Sequence, residues 1–120
     1  MRRSFVTLVT SDAYTIGVEA LAYSLLRVHA AFPLLVLHTP QVSATAAARL
    51  ARFFAALAPR LRVSLACVDD IPAPHAASAH VAGWVNSGYT KLRVFALAQF
   101  DQVVYIDADA VVLENVDEVR

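Results

Sequence analysis

Hydrophobic residues occur along the chain in two alternating patterns, short unbroken runs and longer segments with helical spacing. The run SFVTLVTS is apolar and β-branched and is closed by Asp12, which predicts a buried strand over residues 5–10. From Ala13 to His29 the apolar side chains recur at helical spacing, which predicts a helix. These apolar positions are Ile16, Leu21, Leu25 and Val28.

The same alternation continues through the middle of the chain. PLLVLHT, residues 33–39, is a second apolar run and predicts a second strand. The alanine-rich segment over residues 43–58 predicts a helix whose start Ser43 or Thr45 can cap. RLRVSLACV, residues 60–68, predicts a third strand.

The last third of the chain adds a loop, a helix and a fourth strand. The helix is predicted over residues 89–100, YTKLRVFALAQF. The strand is predicted over residues 102–109, QVVYIDAD, and the AVVLENV that follows predicts a short extended continuation. Strands that alternate with helices predict an α/β fold with a mostly parallel sheet flanked by helices on both faces. No linker or repeat divides the chain, and we expect it to be the first half of a larger domain.

The composition narrows the classes of function. Of 120 residues, 58% are hydrophobic and 17% charged, as expected for a globular domain with one core. The formal net charge is zero, which gives no support for a nucleic-acid partner, and no apolar run reaches membrane-spanning length. Cys67 is the single cysteine; its apolar neighbours predict a buried side chain, and the lack of a disulfide partner favours a reducing compartment, the cytoplasm.

Polar residues follow two of the predicted strands. Thr10, Ser11 and Asp12 come after the first strand, and Asp107 and Asp109 come at the end of the fourth. Because ligands of open α/β sheets bind outside the carboxyl ends of the strands, we expect both groups to face one crevice. In extended backbone two carboxylates two residues apart point to the same side, where they can share Mg²⁺ or Mn²⁺ and a diphosphate. An acid pair that only caps a turn is the alternative.

Lys91 is a third candidate. It is the one lysine among ten lysines and arginines, and it lies near the start of the predicted helix before the fourth strand. A lysine there can reach a phosphate as a point charge, although a surface position on the helix explains it equally well.

These features together resemble a known family. FVTLVTSDAYTIGVEALAYSL, followed by YTKLRVFALAQFDQVVYIDADAVVLENVDEV, resembles the N-terminal half of family 8 glycosyltransferases, on the glycogenin and galactinol synthase branch. The resemblance implies a Rossmann-like GT-A fold and a retaining enzyme that transfers a hexose from a UDP-sugar to an acceptor, usually with Mn²⁺. It also implies that the acceptor pocket and a histidine metal ligand belong to a C-terminal half beyond the fourth strand.

The resemblance assigns roles to individual residues. Asp107 and Asp109 match the D-x-D motif that binds the metal and the donor's diphosphate and ribose, and Ala108 matches a position whose backbone contacts the nucleotide. Lys91 matches a lysine that approaches the donor. The residues that match the segment holding uracil and ribose are Leu8, Thr10, Ser11 and Tyr14.

Two other functions are consistent with parts of the sequence. An apolar strand that ends in D-x-D also begins haloacid-dehalogenase-like phosphatases, where the first aspartate is a nucleophile and the second a general acid. There, however, the motif usually lies on the first strand, and here three predicted strands precede it. The other alternative is a non-catalytic nucleotide-binding fragment, whose exposed sheet edge would favour oligomers.

Overall fold

The computed structural model describes residues 2–69 and 99–118, which form a parallel sheet packed against two helices. The strands are β1 (Arg3–Val9), β2 (Leu34–His38), β3 (Val63–Cys67) and β4 (Gln102–Tyr105). The helices are α1 (Thr15–Arg27), preceded by a 3-10 turn (Asp12–Tyr14), and α2 (Ala44–Leu57). The predicted helix over residues 89–100, including Lys91, falls almost wholly outside the described residues.

The four strands lie in the order β3-β2-β1-β4 and every pair is parallel, which confirms the predicted α/β fold. In register, Phe5 of β1 lies between Leu34 of β2 and Val104 of β4. The chain moves outward from β1 through β2 to β3 and then returns to the other side of β1 for β4. The strand order therefore reverses between β1 and β4, and the carboxyl ends of strands at such a switch point form a crevice for ligands.

The core has one hydrophobic cluster on each face of the sheet. On one face, Phe5 and Val36 pack with the buried stripe of α1 and with Phe54 of α2. On the other face the cluster is built on four strand residues, Val6, Leu8, Leu35 and Leu37. Successive strand side chains point to opposite faces, so β1 and β2 must be apolar at consecutive positions. This explains why their sequences read as unbroken apolar runs.

Helix α1 is shorter than predicted at both ends. Its predicted first residues form the 3-10 turn instead, in which the Thr15 hydroxyl donates to the carbonyl of Asp12 over 2.8 Å. It ends at Arg27, and two residues later His29 adopts a left-handed φ of 57°, which an α-helix cannot continue through.

Two side chains predicted to contribute to the core are exposed. Ile16 is 63% exposed, whereas Leu21 is fully buried. Each residue turns an α-helix by about 100°. The side chains of Ile16 and Leu21, five positions apart, therefore point in directions that differ by roughly 140° around the helix axis. Cys67 is also exposed, because it is the last residue of β3, which lies at one edge of the described sheet and not in its interior. Among the helices described, none is both long and apolar enough to cross a membrane.

Candidate functional site

The D-x-D segment forms a turn immediately after β4. Strand pairing ends where Tyr105 lies opposite Val6, and the N–H of Ile106 still donates to the carbonyl of Val6 over 2.9 Å. Beyond it, the N–H of Ala110 donates to the carbonyl of Asp107 over 3.0 Å and closes a turn. The prediction that the strand extends to residue 109 is therefore wrong, because the backbone bonds to itself here and leaves the ladder with β1.

Both carboxylates of this turn lie near one hydroxyl. Asp107 and Asp109 are exposed. Burial of Tyr105 raises the pKa of its hydroxyl well above the usual range, and the negative charges of Asp107 and Asp109 raise it further. The Tyr105 hydroxyl also hydrogen-bonds the Asp107 carboxylate. Both acids therefore act on the same tyrosine hydroxyl, although the backbone of the turn is not extended.

The chemistry of this pair fits a hard divalent cation. Two exposed carboxylates are oxygen ligands of the kind that Mg²⁺ and Mn²⁺ bind, and such ions commonly complete their shell with waters and substrate phosphates. Across residues 2–69 and 99–118, no three His, Cys, Asp or Glu side chains cluster closely enough to hold a metal ion. Asp107 and Asp109 are thus a candidate pair of ligands and not part of a larger cluster within these residues.

Gly17 is a site residue that the sequence analysis missed. A Cβ built on it would overlap the carbonyl oxygen of Ala108 and would lie 3.4 Å from that carbonyl carbon and 3.6 Å from Cα of Asp109. The first turn of α1 therefore packs directly on the D-x-D turn. The available signal was glycine inside a predicted helix, which costs about 1 kcal/mol relative to alanine and often marks a close backbone approach.

The polar residues after β1 lie at the same edge of the sheet. Thr10 and Ser11 are half-buried, and Tyr14, in the 3-10 turn that leads to Gly17, is 54% exposed. The side chain of Leu8 differs, because it is buried in the cluster on the second face of the sheet. The contact between Gly17 and Ala108 places the start of α1 against the turn after β4, at the carboxyl ends of the strands, where ligands of open α/β sheets bind.

Asp12 begins the 3-10 turn after β1 and joins this turn to α2. Its Oδ1 accepts from the N–H of Ser43 over 2.7 Å, and the Ser43 hydroxyl in turn accepts from the N–H of Ala46 over 3.1 Å as the N-cap of α2. The backbone hydrogen bond from Ser43, with a smaller contribution from its side chain, lowers the pKa of Asp12 below its ordinary value of 3.8. Asp12 is thus a structural carboxylate that holds the loop after β1 against the start of α2.

Replacing Asp12 by Asn is expected to change how stability depends on pH. A carboxyl whose pKa is lowered by folding stabilises the folded state above its unfolded pKa, and this stabilisation is lost as the pH falls through the folded pKa. Asp12→Asn keeps an acceptor but not the charge, so its stability should fall below wild type at neutral pH and converge with it in acid below pH 3.8. Urea unfolding across this pH range measures the difference; a difference independent of pH would contradict the assignment.

Comparisons with known proteins identify the family. The family model described as glycosyl transferase family 8 matches residues 5–119. Human glycogenin-2 is 35% identical over 97% of this chain and 22% of its own length. The UDP-glucuronate:xylan alpha-glucuronosyltransferase 2 of Arabidopsis thaliana is 31% identical over 97% of this chain and 18% of its own.

The likeness extends to a second branch and to a solved structure. Galactinol synthase 10 of Arabidopsis thaliana is 25% identical over 97% of this chain and 33% of its own. The apo structure of the bifunctional glycosyltransferase WbbM superposes with a TM-score of 0.66 at 26% identity, covering 98% of this chain and 20% of that one. The chain spans no more than a third of the length of these proteins. Its fold is the Rossmann-like parallel sheet of the GT-A type, and the chain belongs to glycosyl transferase family 8.

Proposed function

We propose that this chain is the donor-binding half of a metal-dependent, retaining glycosyltransferase that transfers a hexose from a UDP-sugar to an acceptor. The observation that carries the proposal is the pair Asp107 and Asp109, which follows β4 at the β1–β4 switch point and packs through Ala108 against Gly17 of α1. The relatives support it, since one of them is named for a UDP-linked donor and others are glycogenins and galactinol synthases. Membership of the family favours this function over the phosphatase alternative.

In this proposal the two carboxylates hold Mn²⁺ or Mg²⁺ against the donor diphosphate. The bound ion would supply charge neutralisation for the departing UDP. The backbone of Ala108 contacts the nucleotide between the two acids. Because Asp107 already accepts a hydrogen bond from Tyr105, its carboxylate is held in place before a donor arrives.

The segment after β1 would recognise the nucleoside. Tyr14 is exposed enough to stack its ring on uracil, and Thr10 and Ser11 carry hydroxyls suited to the base and ribose. Leu8, whose side chain is buried, would act by setting the course of β1 toward the crevice. Lys91, which lies outside the described residues, is proposed from the sequence alone to direct its charge at the donor phosphates.

Calorimetric titration with UDP tests this function. We expect UDP to bind in the presence of Mn²⁺ and to bind far more weakly when the metal is removed by a chelator. UMP serves as the matched control, because it keeps the base and ribose but lacks the diphosphate, so Mn²⁺ should improve its binding much less. Equal affinity for UDP with and without metal would contradict the proposal. Binding of a UDP-sugar with no transfer or hydrolysis would instead fit the non-catalytic alternative.

A further inference from the structure

Helix α1 contacts the D-x-D turn through Gly17, and this contact is backbone against backbone. The missing side chain of Gly17 is what lets the Ala108 carbonyl and the Asp109 Cα approach the helix. Any side chain at this position must displace the turn, because its nearest neighbours are main-chain atoms and not the end of a flexible side chain. The location of both carboxylates relative to the sheet therefore depends on residue 17.

The segment that follows the turn is attached to the same helix. We call residues 110–118 the return segment. The N–H of Val112 donates to the hydroxyl of Ser24 over 2.9 Å, and that hydroxyl donates to the carbonyl of Leu21 over 2.7 Å. Ser24 lies in the last turn of α1 and its side chain is buried; its bond to Leu21 is buried and the bond from Val112 is partly buried. Ser24 thus fixes the chain three residues beyond Asp109.

The end of the return segment closes over the C-terminal end of α1. The side-chain amide of Asn115 donates to the carbonyl of Val28 over 3.0 Å, and Oδ2 of Asp117 accepts from the N–H of Ala31 over 3.0 Å. The first bond satisfies a carbonyl at the helix end, where carbonyls have no helical partners, and the second joins the loop after α1 to the return segment. The D-x-D turn therefore lies between β4, which precedes it, and a segment bonded to the C-terminal part of α1, which follows it.

We propose that Gly17 and Ser24 are positioning residues that hold the D-x-D turn in the geometry that binds a divalent cation. The inference rests on the proposed function, since it concerns the same two carboxylates, and it adds two residues that have no direct contact with the nucleotide or the ion. Gly17 acts by allowing the turn to approach α1, and Ser24 by anchoring the backbone that leaves it.

Mn²⁺ binding by the protein without nucleotide, followed by electron paramagnetic resonance, tests the inference. Gly17→Ala is expected to weaken Mn²⁺ binding by about tenfold or more, the size typical of losing support around a metal site. Its helix content should stay near that of wild type, because alanine is the better helix former, so the weaker binding reports the displaced turn and not a lost helix. Ala20→Ser is the matched control: it adds one heavy atom to an exposed position of the same helix and should bind Mn²⁺ as wild type does.

Ser24→Ala is a second, independent test, which can be used if Gly17→Ala does not fold. It leaves the Val112 N–H without its acceptor, and a severalfold loss of Mn²⁺ affinity is expected. Wild-type affinity in both variants would overturn the inference while leaving the proposed metal site standing. An equal loss in Ala20→Ser would overturn it as well. Absence of Mn²⁺ binding by the wild-type protein would overturn the metal dependence in the proposed function, and the positioning role with it.

Discussion

Replacing Asp107 and Asp109 together by asparagine is expected to abolish Mn²⁺-dependent binding of UDP while the protein stays folded. Asparagine keeps the shape of the side chain and one oxygen but removes both negative charges, which are the main attraction for the cation. Changing residues that only support the ligands of a metal site lowers metal affinity by about 10- to 100-fold. Removing both ligands should therefore lower the affinity for UDP in Mn²⁺ by more than about 100-fold. Both side chains are exposed, so the free energy of unfolding should change little. Calorimetric titration with UDP at fixed Mn²⁺ measures the effect.

Glu114→Gln is the matched control for this double variant. Glu114 is an exposed carboxylate on the return segment, beyond the turn, so its neutralisation removes one charge from the same region without touching the proposed ligands. Its UDP affinity in Mn²⁺ should stay within about twofold of wild type, since an exposed charge that does not bind the ion is weakened by solvent and salt. Metal-dependent binding retained by the double variant would exclude the two acids as the cation site.

Leu21→Ala is expected to cause the largest loss of stability among single changes in α1, about 2–5 kcal/mol of the free energy of unfolding. The Leu21 side chain is fully buried in the cluster between α1 and the sheet, beside Leu25 and Val18. Truncation removes apolar contacts and leaves a cavity that neighbours anchored in helix and strand can only partly fill. Urea unfolding, followed by circular dichroism, gives the difference from wild type.

Ile16→Ala is the comparison that makes this result informative. The same helical pattern in the sequence includes both residues, but Ile16 is 63% exposed, so its truncation should change stability by no more than about 0.5 kcal/mol. Similar losses for the two variants would mean that α1 is rotated about its axis relative to the orientation described here.

The sequence predicted the elements because each has a strong local signal. Strands buried on both faces must be apolar at consecutive positions, and β1 and β2 therefore stand out as unbroken runs. Helix α2 carries its own cap, Ser43, and was predicted to within a residue at each end. The D-x-D motif was recognisable because two carboxylates after an apolar strand are costly unless the chain leaves the core there.

Errors arose where local signals compete with tertiary contacts. The backbone of Asp107–Ala110 forms a turn because its hydrogen bond closes locally, although the preceding residues are β-formers. The face that α1 buries is chosen by its packing on Phe5 and Val36, and this choice excludes Ile16. Cys67 is exposed because its strand lies at the edge, and strand order follows from the path of the chain rather than from the composition of β3.

By itself, the sequence determined the class of fold, the order of its elements, the family resemblance and the pair of acids, since each depends on residue types at short range. Only the tertiary structure decided that β1 and β4 are neighbours and that the segments after them meet. It also decided that Gly17 lies against Ala108, about ninety positions away in the chain. Contacts of this kind depend on the space left between packed backbones, and no pattern of neighbouring residues records that space.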